Sequence, residues 1–199
     1  MKTVIIKYSA GNIRSVTFAL ERLGITPVLT DDAAEIISAD RVIFPGVGEA
    51  SNTMNDLKKT ALNKVIPALK QPVLGICLGM QLMCSYSEEG KTECLGIFDQ
   101  KVLKFQKKEE ENLLSKIPHM GWNNLYNLKN LLFKGIPDKT YMYFVHSYYV
   151  EQGAFTIATT NYIMEYSSAL QKDNFHAVQF HPEKSGEAGA RILENFLNL

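Results

Sequence analysis

The sequence predicts an α/β fold: a mostly parallel central sheet with helices on both faces, plus antiparallel strands in the C-terminal half. Three observations carry this expectation. Short β-branched runs alternate with helically spaced apolar residues through the first half of the chain. Such alternation implies a parallel sheet wrapped by helices. The second half instead crowds aromatic and β-branched runs together at short intervals, which suits antiparallel strands or a mixed extension of the sheet. The 199 residues, 46% hydrophobic and 21% charged, suit one domain spanning 1–199 with a full core.

Val4-Ile5-Ile6 opens as the first strand. Ile13 to Leu23 places Val16, Leu20 and Leu23 on one helical face and stops at Gly24, a C-cap residue. Pro27-Val28-Leu29 is a second strand, and Asp31 and Asp32 can cap a short helix carrying Ile36 and Ile37. Arg41 to Phe44 is a third strand, ended by Pro45. Met54 to Leu69 patterns as one helix with Pro67 near its end, and Pro72 to Ile76 is a fourth strand. Later come strands over Tyr141 to Val150, Phe155 to Thr160, Ile163 to Leu170 and Phe175 to Phe180. A helix over Gly186 to Leu197 closes the chain.

Composition narrows the function. Lysine plus arginine and aspartate plus glutamate number 21 each, so the formal net charge is zero. Neither nucleic acid nor an anionic membrane is recruited by such a balance. A small substrate and a protein partner met through local patches fit better. The apolar start Val4-Ile5-Ile6 is too short for a signal-peptide core, and Lys7 interrupts it. The expected location is therefore cytoplasmic, with Cys77, Cys84 and Cys94 as reduced thiols. No Cys-x-x-Cys pair occurs and the four histidines lack metal-site spacing, so no metal or cofactor is expected. The charge run at 107–111 reads as a solvated loop.

Gly75-Ile76-Cys77-Leu78-Gly79 has the form of a nucleophile elbow. An apolar strand leads in and a helical segment, Met80 to Cys84, leads out. Glycines relieve the cramped turn, and the helix N-terminus favours thiolate over thiol. A buried structural cysteine in a glycine-rich turn is the competing explanation. A cysteine nucleophile needs a base, and His181 stands just past a strand in Gln179-Phe180-His181-Pro182-Glu183. His181 would take the thiol proton and return it to a leaving amine, with Glu183 orienting the ring. His119, His146 and His176 default to structural roles. Gly46-Val47-Gly48 ends another parallel strand and should reach the same sheet edge. Val47 N–H and Leu78 N–H are the candidate oxyanion donors, with Gly46 and Gly48 supplying backbone freedom. A phosphate loop or a plain glycine turn are the rivals, but the spacing fits neither dinucleotide nor Walker patterns.

On these residues the sequence resembles the class I glutamine amidotransferases. Pro45-Gly46-Val47-Gly48, the Cys77 elbow and His181-Pro182-Glu183 match in order. The resemblance implies a Cys77, His181 and Glu183 triad. It also implies glutamine contacts near Gly48, Gln81 and Glu89 and from the backbone around Ser147 and Tyr148. Pro118-His119-Met120-Gly121-Trp122-Asn123 and Tyr143-Phe144-Val145-His146-Ser147-Tyr148 further resemble the glutaminase subunits of imidazole glycerol phosphate synthases. That narrower resemblance implies a heterodimer with a (β/α)₈-barrel cyclase subunit. The barrel would use the ammonia to make imidazole glycerol phosphate and an aminoimidazole carboxamide ribonucleotide in histidine biosynthesis. Asn12, Met120, Trp122 and Tyr141 are implied as the docking face, with core packing as the alternative for Trp122 and Tyr141. It also implies a glutaminase idle until the cyclase binds its ligand, released when the Gly46-Val47-Gly48 peptide turns. The alternatives are the same chemistry serving a paralogous synthase, such as one aminating a cell-surface sugar, and a redox-sensing cysteine protein.

Overall fold

The computed structural model describes residues 1–8, 13–106 and 116–199. The charge run at 107–111 and Asn12 lie outside the described residues. The strands are β1 (Thr3–Ile6), β2 (Val28–Thr30), β3 (Arg41–Phe44), β4 (Val73–Ile76), β5 (Tyr86–Ser87), β6 (Thr92–Glu93), β7 (Lys101–Lys104), β8 (His119–Asn124), β9 (Tyr141–His146), β10 (Tyr148–Val150), β11 (Thr156–Asn161), β12 (Glu165–Lys172) and β13 (Phe175–Val178). The helices are α1 (Ile13–Arg22), α2 (Ala33–Ile37), α3 (Ala50–Lys59), α4 (Leu62–Val65), α5 (Leu78–Met83) and α6 (Gly186–Leu197).

The main sheet runs β2-β1-β3-β4-β13-β12-β10-β7-β5-β6, with β11 paired to β12. From β2 to β13 every pairing is parallel. Beyond β13 the sheet turns antiparallel through β12, β10 and β7. The parallel strands are apolar on both faces because both faces are covered. Val4, Ile6, Val42, Phe44 and Val73 pack with α2, α3, α4 and α5 on one side. Ile5, Ile43, Leu74 and Ile76 pack with α1 and α6 on the other.

Local signals set several boundaries as expected. Asp32 Oδ1 accepts the Glu35 N–H at 2.9 Å and caps α2. Gly24 lies at φ +80° just beyond α1. Two expectations need correction. The helix expected over Met54–Leu69 starts earlier, at Ala50, and breaks where Ala61 enters the left-handed region at φ +58°. Its start is fixed from afar, because Glu89 Oε2 accepts the Ala50 N–H at 2.8 Å. The single strand expected over Tyr141–Val150 divides at Ser147. β9 leaves to pair with β8 in a separate two-stranded ribbon, while β10 joins the main sheet. Strands β5 to β8 were not anticipated, being short or carrying asparagine and glycine.

Period-two alternation gives the β8–β9 ribbon two unlike faces. His119, Met142, Phe144 and His146 are buried against the core. Met120, Trp122 and Tyr141 point outward, 64%, 55% and 58% exposed. The core-packing alternative for Trp122 and Tyr141 is thereby overturned.

Candidate active site

Cys77 follows β4, Gly46-Val47-Gly48 follows β3, and His181 follows β13. These three strands are parallel neighbours in the order β3-β4-β13, so their C-terminal ends open on one edge. Open α/β sheets bind ligands there. Long sequence separation is thus converted to proximity by strand order alone.

Cys77 occupies φ +53°, ψ −109° at the start of α5. A side chain at such a φ is strained by about 1–3 kcal/mol and persists only where its surroundings over-determine it. Here Cys77 N–H donates to the Val178 carbonyl at 2.8 Å, and the Cys77 carbonyl accepts Gln81 N–H at 3.2 Å. The flanking glycines serve close approach rather than special dihedrals. A Cβ on Gly79 would lie 1.9 Å from the Phe44 carbonyl oxygen, and one on Gly75 would lie 2.9 Å from Met83 Sδ.

His181 and Glu183 form a buried pair. Nδ1 and Oε1 are 2.8 Å apart, with the side chains 2% and 1% exposed. His181 N–H donates to the Tyr143 carbonyl at 2.9 Å, and its own carbonyl takes the Ser185 hydroxyl at 2.6 Å. Helix α6 seats against this turn because Gly189 faces the Pro182 carbonyl, where a Cβ would come within 2.0 Å. Burial alone would lower the His181 pKa. Its interactions with Cys77 and then Glu183 outweigh burial and hold it up at about 10. The Cys77–His181 hydrogen bond is nevertheless open: Sγ faces the Val145 carbonyl at 3.8 Å, and His181 Nε2 has no hydrogen-bond partner among the described residues.

These ionisations set a stability profile. Folding raises His181 from 6.5, so the folded state holds a proton that the unfolded chain releases; that stability is complete below about pH 6.5 and is lost towards about pH 10. Burial lowers His119 and His176 to about 4 and His146 to about 3, so stability also falls as pH drops below 6.5. Thermal melts should therefore peak near pH 6.5. Glu183→Gln should make the alkaline limb shallower without abolishing it, since Cys77 raises His181 more than Glu183 does and the buried Cys84 and Cys94 thiols also lose stability as pH rises. It should leave the acid limb alone; an unchanged alkaline limb would show that this pair contributes nothing to it.

Val47, Gly48, Cys77, Leu78, Gln81, Glu89, Ser147, Tyr148 and His181 line one cleft of about 270 Å³. It lies just below the roughly 300–1,000 Å³ usual for drug-sized ligands, suiting something the size of an amino acid. Glu183 stands behind His181 rather than in the cleft. Gln81 spends both amide hydrogens internally, on the Tyr148 carbonyl at 3.0 Å and Gln179 Oε1 at 2.9 Å. Its oxygen is what remains for a ligand. Glu89 has its pKa raised by burial, against the Ala50 N–H bond that lowers it, with Glu49 adding repulsion.

The two expected oxyanion donors are not both free. Leu78 N–H donates to the Gly46 carbonyl at 3.3 Å, so in this state a carbonyl rather than an N–H faces that donor. Gly46 can approach so closely because it lacks a Cβ, which would meet Gly79 N at 2.6 Å. Gly48 sits at φ +114°, open to glycine and few other residues.

Sequence patterns missed Tyr8, whose hydroxyl donates to the Pro45 carbonyl, and Gln179, whose Nε2 lies 3.6 Å from Cys77 Sγ. Tyr8 was detectable in principle, because it follows β1 at the same sheet edge. His146 also reaches the cleft wall, while its ring contacts His119 at 3.1 Å and Tyr166 at 3.2 Å. The other thiols are poor nucleophiles. Burial holds Cys84 well above the ordinary range, and burial with nearby Glu93 and Glu89 pushes Cys94 up to about 12.

The model of the family described as "Glutamine amidotransferase class-I" matches residues 4–199. A protein of Bacteroides fragilis named imidazole glycerol phosphate synthase subunit HisH is 58% identical over 199 residues, covering all of both chains. A Yersinia pseudotuberculosis protein of the same name is 46% identical over 201 residues, again covering both completely. Among solved structures, a crystal structure of a glutamine amidotransferase aligns with a TM-score of 0.75 at 16% identity, covering 98% of this chain and 97% of that one. PurLQS from Thermotoga maritima aligns with a TM-score of 0.70 at 17% identity, covering 99% and 97%; at these identities the likeness concerns the fold. With its family model matched almost end to end, and an elbow cysteine facing a buried histidine–glutamate pair across one cleft, this chain belongs to the class-I glutamine amidotransferase family.

Proposed function

We propose that the chain is the glutaminase subunit of an imidazole glycerol phosphate synthase, releasing ammonia from glutamine at Cys77 for a cyclase partner. The observation that carries the chemistry is the Glu183–His181 pair at 2.8 Å, with His181 and Cys77 lining the same cleft. Full-length relatives at 58% and 46% identity bearing that synthase subunit name support the pathway.

The Cys77 thiolate attacks the glutamine carboxamide carbon, and the carbonyl electrons move onto oxygen. His181, protonated and oriented by Glu183, gives a proton to the nitrogen as the C–N bond breaks and ammonia leaves. The resulting glutamyl thioester is attacked by water, His181 takes a proton from that water, and glutamate departs as the thiolate re-forms. In the resting arrangement the Gly46 carbonyl occupies the Leu78 N–H. Turning the Gly46–Val47 peptide would free that donor and bring Val47 N–H towards the oxyanion.

Docking of the cyclase would cover the outward row of Met120, Trp122 and Tyr141. Met120 also lines the cleft, so this apolar row runs to its mouth. A partner seated there would shield ammonia from solvent. Its barrel would join the ammonia to a phosphoribulosyl-formimino carboxamide ribonucleotide. Among the described residues no helix is long and apolar enough to cross a membrane.

The test is glutamate release by the chain alone, with the cyclase subunit, and with the cyclase and its nucleotide ligand. Gaining an oxyanion donor is expected to raise the rate on the order of 10²–10³-fold in the full complex. Equal rates in all three conditions would leave a glutaminase but remove this partner and its control of the loop.

A further inference from the structure

We propose that Gln179 is a further catalytic residue, an N–H donor to the Cys77 sulfur whose orientation is dictated by the substrate-facing wall of the cleft. The proposal deepens the glutaminase reading and rests on Cys77 being its nucleophile.

Donor and acceptor chemistry fixes each orientation in turn. The Tyr148 carbonyl can only accept. It takes Gln81 Nε2 at 3.0 Å and His146 Nδ1 at 2.7 Å, so the amide nitrogen of Gln81 must face it. The second hydrogen of that amide goes to Gln179 Oε1 at 2.9 Å. Gln179 therefore presents oxygen to Gln81 and has only its NH₂ group left for the sulfur, at 3.6 Å. Gln179 is wholly buried, with no solvent to turn it round, and its backbone N–H is held by the Ser168 carbonyl at 2.9 Å.

This placement follows from strand register. Val178 pairs with Ile76 across β13 and β4, so the next residues, Gln179 and Cys77, leave the sheet side by side. A neutral N–H donor at sulfur favours the charged thiolate over the thiol. Unlike a lysine, it brings no competing positive charge into a cleft whose proton must reside on His181. The Tyr148 carbonyl belongs to the peptide wall expected to hold glutamine, so any shift of that wall passes through Gln81 to the donor on the nucleophile.

The experiment is alkylation of Cys77 in the full chain by iodoacetamide across a pH series, with the modified cysteine located by mass spectrometry. Gln179→Glu keeps the shape and the Gln81 bond but turns an acceptor towards sulfur. Its alkylation at pH 7 is expected to slow roughly tenfold, the weight of one charge-assisted hydrogen bond. As pH rises through about 8.5, where a free thiol ionises without help, and with folding checked at each pH, variant and native rates should draw together. Gln179→Met removes the donor without adding charge, should slow alkylation in the same direction by less, and decides the matter if Gln179→Glu fails to fold. An unchanged rate at pH 7, or equal slowing at every pH, would overturn the proposal and leave Gln179 a packing residue. Alkylation consumes no glutamine. Native chain that alkylates at Cys77 in this Gln179-dependent way, yet releases no glutamate with any partner, would therefore sink the glutaminase reading alone.

Discussion

Cys77→Ala and Cys77→Gly are both expected to reduce glutamate release by at least about 10⁴-fold, yet the glycine variant should be the more stable of the two. The loss of activity follows from removing the sulfur that the cleft places to attack the amide. The order of stability follows from the backbone. In ordinary helix or strand positions glycine is worse than alanine by roughly 0.5–1 kcal/mol. Position 77 instead holds φ +53°, ψ −109°, where any side chain is strained by about 1–3 kcal/mol and glycine is not. The strain outweighs glycine's extra entropy cost, so the sign reverses and the glycine variant should melt a few degrees higher, at roughly 2–4 °C per kcal/mol for a chain of this size. Thermal melts of the two variants side by side provide the check. An alanine variant as stable as the glycine variant would mean that the elbow relaxes freely and stores no strain.

Gly79→Ala should be among the most damaging single-methyl substitutions at the described residues. The added Cβ would lie 1.9 Å from the Phe44 carbonyl oxygen and 3.0 Å from its carbon. Both are backbone atoms at the end of β3, so no side chain can swing aside. Either α5 lifts off the sheet or β3 shifts, and both carry part of the cleft. A loss of about 3 kcal/mol or more is expected, at the upper end of single substitutions, with Cys77 reactivity falling alongside. Gly96→Ala is the matched control. Gly96 sits at φ +66°, and an added methyl there would meet nothing within 4 Å, so only conformational strain of about 1 kcal/mol applies. Melting temperatures separate the two costs. Equal losses would show that the approach of α5 to β3 yields easily.

Much of the site was legible because its chemistry is local. The elbow, the strand-end glycines and the His-Pro-Glu turn are each contained within about five consecutive residues, and each dictates its own backbone. The pairing of Glu183 with His181 also follows locally, since a proline-held turn brings residues two apart into contact. The Gln179 role was not legible. Its position beside Cys77 depends on β13 pairing with β4, and nothing in a single strand's pattern names its neighbour. The same holds for Glu89, which reaches back to the start of α3.

By itself, then, the sequence determined which segments form the parallel half of the sheet and which local turns hold the candidate nucleophile, base and glycine loop. Hydrophobic period and turn residues act over a few positions and survive in isolation. Tertiary structure decided the rest. The division of the aromatic run at Ser147 arose because β8 and the main sheet each offered an open edge, one to β9 and one to β10. Trp122 and Tyr141 face outward because the opposite side of their ribbon is the one buried, and burial is a property of the packed whole. The Gly46 carbonyl on the Leu78 N–H is likewise a contact between the ends of β3 and β4. Its physical cause is the absence of a Cβ where the two ends meet, and only the assembled sheet brings them together.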